Sequence, residues 1–416
     1  LMIDLAPWPV VRLGDHVHKP QYGYTASANH EPVGPRLLRI TDIQAGRVVW
    51  QRVPFCDCPD NKRQRYLLEP GDLVVARIGA TTGKAHMVRS CPEAVFASYL
   101  IRLRARPTLA PAFLALFCES RSYWAQIERN KGGRLKGGVN LGVLNDLMLP
   151  LPPMDEQWAI ARALSAVQEA KEARLRELEL ERERKAALME HLLTYGTRGE
   201  PTKQTEIGEM PKSWSTSVIG DMATEVRSGV TPRGGSKTYL TEGVPLIRSQ
   251  NVRMNRMALE DIAHIAPAVH RSMRRSAVQP GDVLLNITGA SIGRVACVPT
   301  RLPDANVNQH VCRIRFNTDH DPAFMSQYLS WPPSQARIMG AQFGTTRQGL
   351  NYGQVRALKV PLLSLNEQRM IGSALALCDD RDGAIRLEVA RLDELFASLL
   401  EELMNGRLSA GALIKG

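Results

Sequence analysis

The 416-residue sequence has no segment that would place it in a membrane or export it from the cell. No apolar run approaches the roughly 18 residues that a membrane-spanning helix needs. The N-terminus also lacks a basic stretch followed by an apolar one, which secretory signals have. We therefore expect a soluble cytoplasmic protein, long enough for two or three domains with their own cores.

The seven cysteines are scattered, and they form neither a CxxC pair nor a spacing typical of zinc ligands. We expect these thiols to be reduced and mostly buried. The sequence predicts no metal site and no cofactor.

Motifs for catalysis are also missing. Residues 79–84 (GATTGK) resemble a phosphate-binding P-loop, but they have three residues where that motif has four, and Ala85 follows where it has Ser or Thr. We find neither a complete loop tetrad of the adenine-methyltransferase type nor a Rossmann-type Gly turn for a methyl donor. The sequence therefore predicts a binding protein without catalytic residues.

The net charge gives the first positive indication of a partner. Lys and Arg total 53 against 42 Asp and Glu, so the formal net charge is +11 and the pI is near 9.5. Because phosphates are attracted to such a surface at long range, nucleic acid is the first partner to consider. Anionic proteins or membranes would be attracted as well.

An internal duplication organises the chain. Residues 155–195 contain no Pro or Gly and consist mostly of strong helix formers, and a second long helix is predicted near the end of the chain. The offset between the copies grows from 206 to 211 along the sequence, as expected for two copies of one domain that differ by short loop insertions. The aligned pairs include Trp8 with Trp214 and Glu156-Gln157 with Glu367-Gln368.

We predict an α+β protein with an internal pseudo-two-fold repeat, in which a pair of long antiparallel coiled-coil helices separates two globular domains. The predicted boundaries are residues 1–153 for the first domain, 154–196 for the first spacer helix, 197–212 for a linker, 213–363 for the second domain, 364–406 for the second spacer helix and 407–416 for a tail.

The spacer prediction depends on apolar residues spaced alternately by four and three, which is the pattern of a coiled-coil seam. The seam residues are Ile160, Leu164, Val167, Leu178, Leu188 and Leu192 in the first helix, and Ile371, Leu375, Ile385, Val389, Leu392, Phe396, Leu399 and Leu403 in the second. The middle of the first helix is polar. There we expect Lys171 and Arg174 to lie along Leu392 and Val389 with their charged ends in water. A single solvated helix is the alternative.

Repeated loops provide the candidate DNA-binding residues. In each copy a Pro-Gly-Asp turn leads into an apolar strand and a Gly-centred loop, and a second Gly-rich loop precedes the long helix. Arg pairs bidentately with guanine and Asn or Gln with adenine, while loop backbones approach phosphates. The candidates are Arg39, Arg77, Thr81, Thr82, Lys84, Arg134 and Lys136 in the first copy, and Arg248, Gln250, Asn251, Ser291, Arg294, Thr345, Thr346, Arg347 and Gln348 in the second.

Taken together, these segments resemble the DNA-specificity subunit of type I restriction–modification systems over essentially the whole chain. The segments that carry the resemblance are YGYTASAN from Tyr22, LLRITDI from Leu37, SGVTPRGGSKTYLTEGVPLIRSQNV from Ser228, both Pro-Gly-Asp strands, LPLPPMDEQ from Leu149 and VPLLSLNEQ from Val360. The resemblance implies that two target-recognition domains each read half of a split site in double-stranded DNA. It also implies that the helices act as a ruler and dock two methyltransferase subunits, to which restriction and translocase subunits add. The family's subunit has no catalytic activity of its own.

The sequences from His18 and from Arg227 share little, so we predict two different half-sites rather than a palindrome. Two other hypotheses stay open at this point. One is a coiled-coil protein-interaction scaffold without sequence-specific DNA binding, and the other is an enzyme that carries its own catalysis.

Overall fold

The computed structural model describes residues 8–44, 46–130, 138–342 and 349–409. The chain divides into two compact units: unit 1 is Leu1–Arg174 with Glu388–Gly416, and unit 2 is Leu175–Leu387. Within the described ranges no helix combines the length and apolar character needed to cross a membrane.

Unit 1 is built around a four-stranded antiparallel sheet. Its strands are β1 (Val10–Arg12), β2 (Gln21–Tyr22), β3 (Arg36–Leu38), β4 (Ile43–Gln44), β5 (Arg47–Val48), β6 (Leu73–Ala76), β7 (Ala85–Met87), β8 (Ala94–Phe96), β9 (Leu100–Leu103) and β10 (Met148–Pro150). Its helices are α1 (Leu13–His16), α2 (Asp60–Tyr66), α3 (Pro111–Phe117), α4 (Arg121–Asn130), α5 (Leu141–Asn145) and the long α6 (Met154–Tyr195), which continues into unit 2. The central sheet has the order β2-β9-β6-β7, and β3 pairs with β8 in parallel.

Unit 2 repeats this plan. Its strands are β11 (Thr202–Thr205), β12 (Gly208–Pro211), β13 (Ser215–Val218), β14 (Ala223–Ser228), β15 (Val244–Ile247), β16 (Val252–Arg253), β17 (Arg256–Met257), β18 (Ala263–Ile265), β19 (Ala277–Val278), β20 (Val283–Asn286), β21 (Val295–Cys297), β22 (Ala305–Val307), β23 (Val311–Phe316) and β24 (Lys359–Leu362). Its helices are α7 (Ile219–Met222), α8 (Pro267–Ser272), α9 (Pro322–Ser330), α10 (Pro332–Gly340), α11 (Tyr352–Ala357) and α12 (Leu365–Met404), which continues into unit 1. The sheet order β14-β23-β20-β21 and the parallel pair β15-β22 match those of unit 1 and confirm the predicted repeat.

The Pro-Gly-Asp turns start the central strands in the same way in both units. Gly71 and Gly281 take φ values of +96° and +85°, which favour glycine. Asp72 accepts a hydrogen bond from the Glu69 amide, and Asp282 accepts one from the Gln279 amide. The strands that follow, β6 and β20, are buried along their whole length, which explains why they are apolar except for Asn286 at the end of β20, whose amide donates to the Ser249 carbonyl.

The long helices α6 and α12 pack antiparallel. In unit 1, Ile160 and Leu164 of α6 share a core with Leu403 near the end of α12. In unit 2, Leu193 near the end of α6 shares a core with Ile371 near the start of α12. Because opposite ends meet, the packing fits the predicted coiled-coil spacer.

The predicted seam residues are all covered at least in part. Those that are buried are Ile160, Leu164, Leu178, Ile371, Leu375, Ile385 and Leu403; those that are half-buried are Val167, Leu188, Leu192, Val389, Leu392, Phe396 and Leu399. In the polar middle, the ends of Lys171 and Arg174 do more than reach water, since they pair with Asp393 and Glu388. Because Asp393 and Glu388 of α12 lie opposite this part of the first helix, basic residues are favoured there.

The Glu-Gln pair at the start of each long helix fixes that helix to its own domain. Gln157 is buried; its Oε1 accepts from the Ala110 amide at 2.7 Å and its Nε2 donates to the Pro152 carbonyl at 2.9 Å. Gln368 makes the equivalent bonds to Asp321 and Leu363 in unit 2. These buried amides orient each domain on its helix.

The glutamates of the same pairs accept from tryptophan. Trp8 Nε1 donates to Glu156 at 3.2 Å, and Trp214 Nε1 donates to Glu367 at 3.1 Å. Ser364 accepts from the Glu367 amide, as expected for a helix cap, but the Glu367 carboxylate binds Trp214 and Thr197 rather than closing a capping box.

Residues 202–211, inside the segment predicted as a linker, form the β11-β12 hairpin. Ile207 and Met210 of this hairpin are buried in the unit 2 core beside Trp214. The polar and Gly-rich composition indicates a linker, but two well-placed apolar side chains are enough to hold a hairpin on an existing core.

The cysteine thiols in the described ranges are free, and most are buried. Burial raises the pKa of Cys56 to about 11, so this thiol stays protonated at neutral pH. The described residues contain no group of three His, Cys, Asp or Glu side chains that could hold a metal ion.

Candidate nucleic-acid interface

The end of the central sheet where β6 finishes brings distant segments of unit 1 together. The Arg77 amide donates to the Tyr99 carbonyl at 3.0 Å, and the Val139 amide donates to the Arg77 carbonyl at 2.9 Å. The Arg77 guanidinium lies 4.6 Å from the centre of the Tyr22 ring. We call residues 22–24, 77–84, 97–99 and 138–139 face 1.

The Gly-centred loop of face 1 is a tight turn held by its own backbone. Gly79 and Gly83 have φ values of +84° and +90°. The Thr82 hydroxyl donates to the Gly79 carbonyl at 2.7 Å, which buries this side chain, whereas Lys84 is exposed and Thr81 is half-buried. Among the described residues, no atom lies within 4 Å of a Cβ built on Gly79, so none of them covers the loop tip.

Unit 2 has the same arrangement with different side chains. The Ile287 amide donates to the His310 carbonyl at 3.0 Å, and the Leu350 amide donates to the Ile287 carbonyl at 2.9 Å. Thr288 and His310 are joined by a 2.5 Å hydrogen bond between Oγ1 and Nδ1. We call residues 228–229, 287–294, 308–311 and 349–352 face 2.

A glycine in each unit allows two backbone segments to meet behind the face. A Cβ on Gly23 would overlap the carbonyl of Ala97, and one on Gly229 would overlap the carbonyl of Val307. Neither position tolerates a side chain without backbone movement. The two faces therefore have the same backbone frame.

Arg39 and Arg248 occupy matching turns beside the faces, but within the described residues only Arg39 is paired with a carboxylate. Arg39 is held bidentately by Asp42, with N–O distances of 2.8 and 3.0 Å, and this hydrogen bonding raises the pKa of Arg39. Arg248 has Asn251 at that position. Its Nη2 donates to a backbone carbonyl at 3.1 Å, and in the described ranges it has no carboxylate partner.

The structure separates the predicted contact residues into several groups. Lys84 and Gln250 are exposed, and Arg39, Arg77, Thr81, Arg248, Ser291 and Arg294 are half-buried. Thr82 and Asn251 are buried, and Asn251 uses its amide to cap the Arg248 turn and to reach the Ala258 carbonyl. Arg134, Lys136, Thr345, Thr346, Arg347 and Gln348 lie outside the described residues.

Sequence reasoning missed several side chains on the two faces. Tyr22, which stacks under Arg77, and Tyr99, which is 56% exposed, lie on face 1. Gln309, His310 and the exposed Tyr352 lie on face 2. The repeat offset of 211 aligns residues 98–99 with 309–310 between two apolar strands and could have identified this turn, although it lacks the glycines that mark the other loops.

Comparison with known proteins gives one family. The family model described as "Type I restriction modification DNA specificity domain" matches residues 8–181 and again residues 211–395. A putative type I restriction enzyme MjaX specificity subunit from Methanocaldococcus jannaschii is 23% identical over 96% of this chain and 93% of its own length. The EcoKI specificity subunit from Escherichia coli is 24% identical over 90% of this chain and 82% of its own length.

Solved structures agree at the level of the fold. The S subunit of a type I restriction–modification system from M. genitalium matches with a TM-score of 0.64 at 14% identity, covering 96% of this chain and 97% of that one. A chain from a type I R-M complex matches with a TM-score of 0.52 at 19% identity, covering 96% of this chain and 98% of that one.

Proposed function

The chain belongs to the type I restriction–modification DNA specificity family, and from this premise we propose that its two units each read one half of a split DNA site. The observation that carries the proposal is a contrast between the backbone of the two faces and their side chains. The backbone frame recurs in both units, while the side chains on the faces differ, as two readers of different sequences require. We therefore expect two unlike half-sites.

The main proposed contacts are side chains that lie on or beside the two faces. Arg77, Tyr22 and Tyr99 would meet DNA on face 1, and Gln309, His310 and Arg248 at or beside face 2. Further proposed contacts are Arg39, Thr81, Lys84, Gln250, Ser291 and Arg294, with Arg134, Lys136, Thr345, Thr346, Arg347 and Gln348 supported by sequence alone. We assign Thr82 and Asn251 to holding the turns, because their polar groups are used inside the protein.

For the functional division of the chain we propose target-recognition domains at residues 1–153 and 213–363, spacer helices at 154–196 and 364–406, a connecting segment at 197–212 and a tail at 407–416. The spacer would set the number of base pairs between the half-sites.

We propose that the spacer helices also dock two methyltransferase subunits, with restriction and translocase subunits joining through that complex. Leucines on the helices support this proposal. Leu180 is 65% exposed and Leu377 is 67% exposed in unit 2, and an exposed leucine offers apolar surface that a partner subunit can bury. Leu180→Glu and Leu377→Glu should each lower recovery of the methyltransferase with the tagged chain about tenfold. Leu240→Glu, at a leucine off the helices that is 48% exposed, is the control.

We propose that the chain contributes recognition and no catalytic step, and that it works in the cytoplasm where DNA is found. Methyl transfer by the purified chain alone would overturn the first part. The interaction-scaffold alternative is not favoured, because both units match a DNA specificity model.

The decisive experiment is methylome sequencing of a methylation-free host that expresses this chain with its neighbouring methyltransferase, compared with the same host lacking this chain. A split motif with methylated adenines that depends on this chain supports the proposal. Replacing residues 213–363 with those of a relative should change one half of the motif only. A palindromic motif, or no motif although both proteins are made and associate, would contradict it.

Direct binding gives an independent test. If six or more phosphates are contacted, log K should fall with log salt by about 0.9 per phosphate, so the slope should be steeper than about −5. Affinity that does not change with salt would exclude this mode of binding.

A further inference from the structure

A cationic pocket lies in unit 1 at the end of the central sheet away from face 1. Its volume is about 260 Å³, and it is lined by His18, Lys19, Arg102 and Arg104. Face 1 adjoins the start of β9 at Tyr99, whereas Arg104 follows the end of this four-residue strand. At about 3.3 Å per residue the pocket is roughly 13 Å from the face along the strand.

The equivalent place in unit 2 is occupied by a carboxylate. Arg313 and Arg315 correspond to Arg102 and Arg104, and both bind the carboxylate of Glu225. The N–O distance from Arg315 to Glu225 is 3.2 Å. With the offset of 206 that aligns Trp8 with Trp214, Glu225 corresponds to Lys19. The residue that aligns with Glu225 is thus a lysine in unit 1, and this lysine lines the pocket.

The remaining partners of the two arginine pairs are alike. Arg104 binds Asp72 bidentately at 2.7 and 2.8 Å, and Arg315 binds Asp282 at the same two distances. Each Asp is 1% exposed. Because these contacts are the same in both units, the difference between the pockets comes down to the residue at position 19 or 225 and its surroundings.

The charged side chains around the two arginine pairs also differ between the units. In unit 2 the two arginines face Asp282 and Glu225. In unit 1 they face Asp72 and Glu69, which contacts Arg104 at 3.1 Å and whose side chain is 62% exposed, and Lys19 adds a further positive charge. The side chain of Arg102 is only 12% exposed, lies 3.7 Å from Asp72 and otherwise donates to neutral oxygens of Leu67, Arg65 and Gln21.

We propose that the unit 1 pocket binds an oxyanion of the phosphate class at the place that the Glu225 carboxylate occupies in unit 2. Phosphate and carboxylate oxygens accept from guanidinium groups in the same geometry. The pocket volume of about 260 Å³ accommodates a phosphate group, and the exposed Lys19 adds an ammonium group to its lining. The phosphate could belong to the backbone of bound DNA or to a free phosphate or nucleotide.

Lys19→Glu tests this, because it copies the residue of unit 2 into unit 1. Lys19 is exposed, so the variant should fold. The first arm uses the full chain without DNA and follows thermal unfolding as inorganic phosphate replaces chloride at constant ionic strength. Free phosphate as the source predicts a Tm rise of about 2–5 °C that Lys19→Glu abolishes. Lys62→Glu, an equal change of charge at another exposed lysine of unit 1, should keep it.

The second arm measures DNA binding across a salt series. A backbone phosphate as the source predicts that Lys19→Glu lowers the salt slope by about one phosphate more than Lys62→Glu does, while the free chain shows no response to inorganic phosphate. The proposal is overturned if Lys19→Glu and Lys62→Glu behave alike in both arms. Since the first arm contains no DNA, its result does not depend on the proposed reading of half-sites.

The reverse substitution adds a second readout. Glu225→Lys should lower the Tm of unit 2 and make it respond to inorganic phosphate. Destabilisation that phosphate does not relieve would count against a shared anion-binding geometry.

Discussion

Unit 1 and unit 2 differ most in the side chains on face 1 and face 2. They differ least in the buried polar side chains that bind one another within each unit. Asp72 and Asp282 keep the same arginine contacts, and the Glu-Gln pairs keep the same bonds to their domains. On the faces, by contrast, Arg77 is replaced by Ile287 and Tyr99 by His310. Buried polar groups need their partners, so the frame resists change, whereas face residues can vary at little cost in stability.

The same comparison extends to charge. Each unit has an arginine at the turn beside its face and an arginine pair at the far end of the sheet, but the neutralising carboxylate is placed differently. Unit 1 supplies Asp42 at the turn and, at the far end, only the exposed Glu69 on Arg104, whereas unit 2 supplies Glu225 at the far end, where both arginines bind it. The two copies therefore present positive charge at different places on one fold.

The largest effect should come from the glycines behind the faces. Gly229→Ala would drive a Cβ into the Val307 carbonyl and should cost about 4 kcal/mol or more of the stability of unit 2, abolishing its half-site. Gly340→Ala, at the end of α10, where an added Cβ would meet no atom of the described residues within 4 Å, is the control and should be neutral or stabilising. Thermal unfolding with a methylation assay checks this, and retention of both half-sites in Gly229→Ala would show that the frame is more plastic than argued.

The next largest effect is expected from replacing the buried aspartate of each unit. Asp72→Asn should lower the free energy of unfolding by about 3 kcal/mol, because it leaves the Arg104 charge with only the exposed Glu69. Asp282→Asn should cost less, about 2 kcal/mol, since Glu225 still binds Arg315. Denaturant unfolding of the two variants makes the comparison, with Asp57→Asn at an exposed site as the control. Equal losses would mean that Glu225 does not compensate.

A smaller effect is expected from exchanging the turn residues. Asp42→Asn should keep the bond to the Arg39 amide but release its guanidinium, which would tighten DNA binding about fivefold, or ~1 kcal/mol. Asn251→Asp should pair with Arg248 and weaken binding by a similar factor. Fluorescence anisotropy on a duplex measures both. If Asp42→Asn only matches Asp57→Asn, then net charge alone explains the gain and the turn arginine is not a contact.

The smallest effect concerns the spacer. Gly383 lies inside α12, and a Cβ added there would meet no neighbouring atom within 4 Å, so Gly383→Ala should raise stability by about 0.5–1 kcal/mol. Ala384→Gly, at an exposed neighbour in the same helix, should lower it by a similar amount. Calorimetry of the two variants tests whether α12 is helical throughout in solution, and no difference between them would argue against that.

The repeat and the two long helices could be predicted because their signals are local. Helix formers without Pro or Gly, the four-three apolar spacing and the offset between copies can all be read along the chain, and the structure confirms the repeated α+β plan. The Glu-Gln pairs were visible as a repeat, but their role as buried ties between helix and domain was not. That role depends on carbonyl and amide groups about 50 residues away.

The faces were decided by tertiary structure. Arg77 stacks on Tyr22 and binds the backbone at Tyr99, and no pattern in the sequence joins these three residues. Asn251 has a side chain of the type that reads adenine, but in the folded protein its amide donates to the Ala258 carbonyl. Sequence alone indicated the two long helices and the repeated domains, but not the β11-β12 hairpin. Hydrogen bonds between distant segments determined which polar side chains are used up inside the protein and which remain for a partner, because a buried polar group must find its partner within the fold.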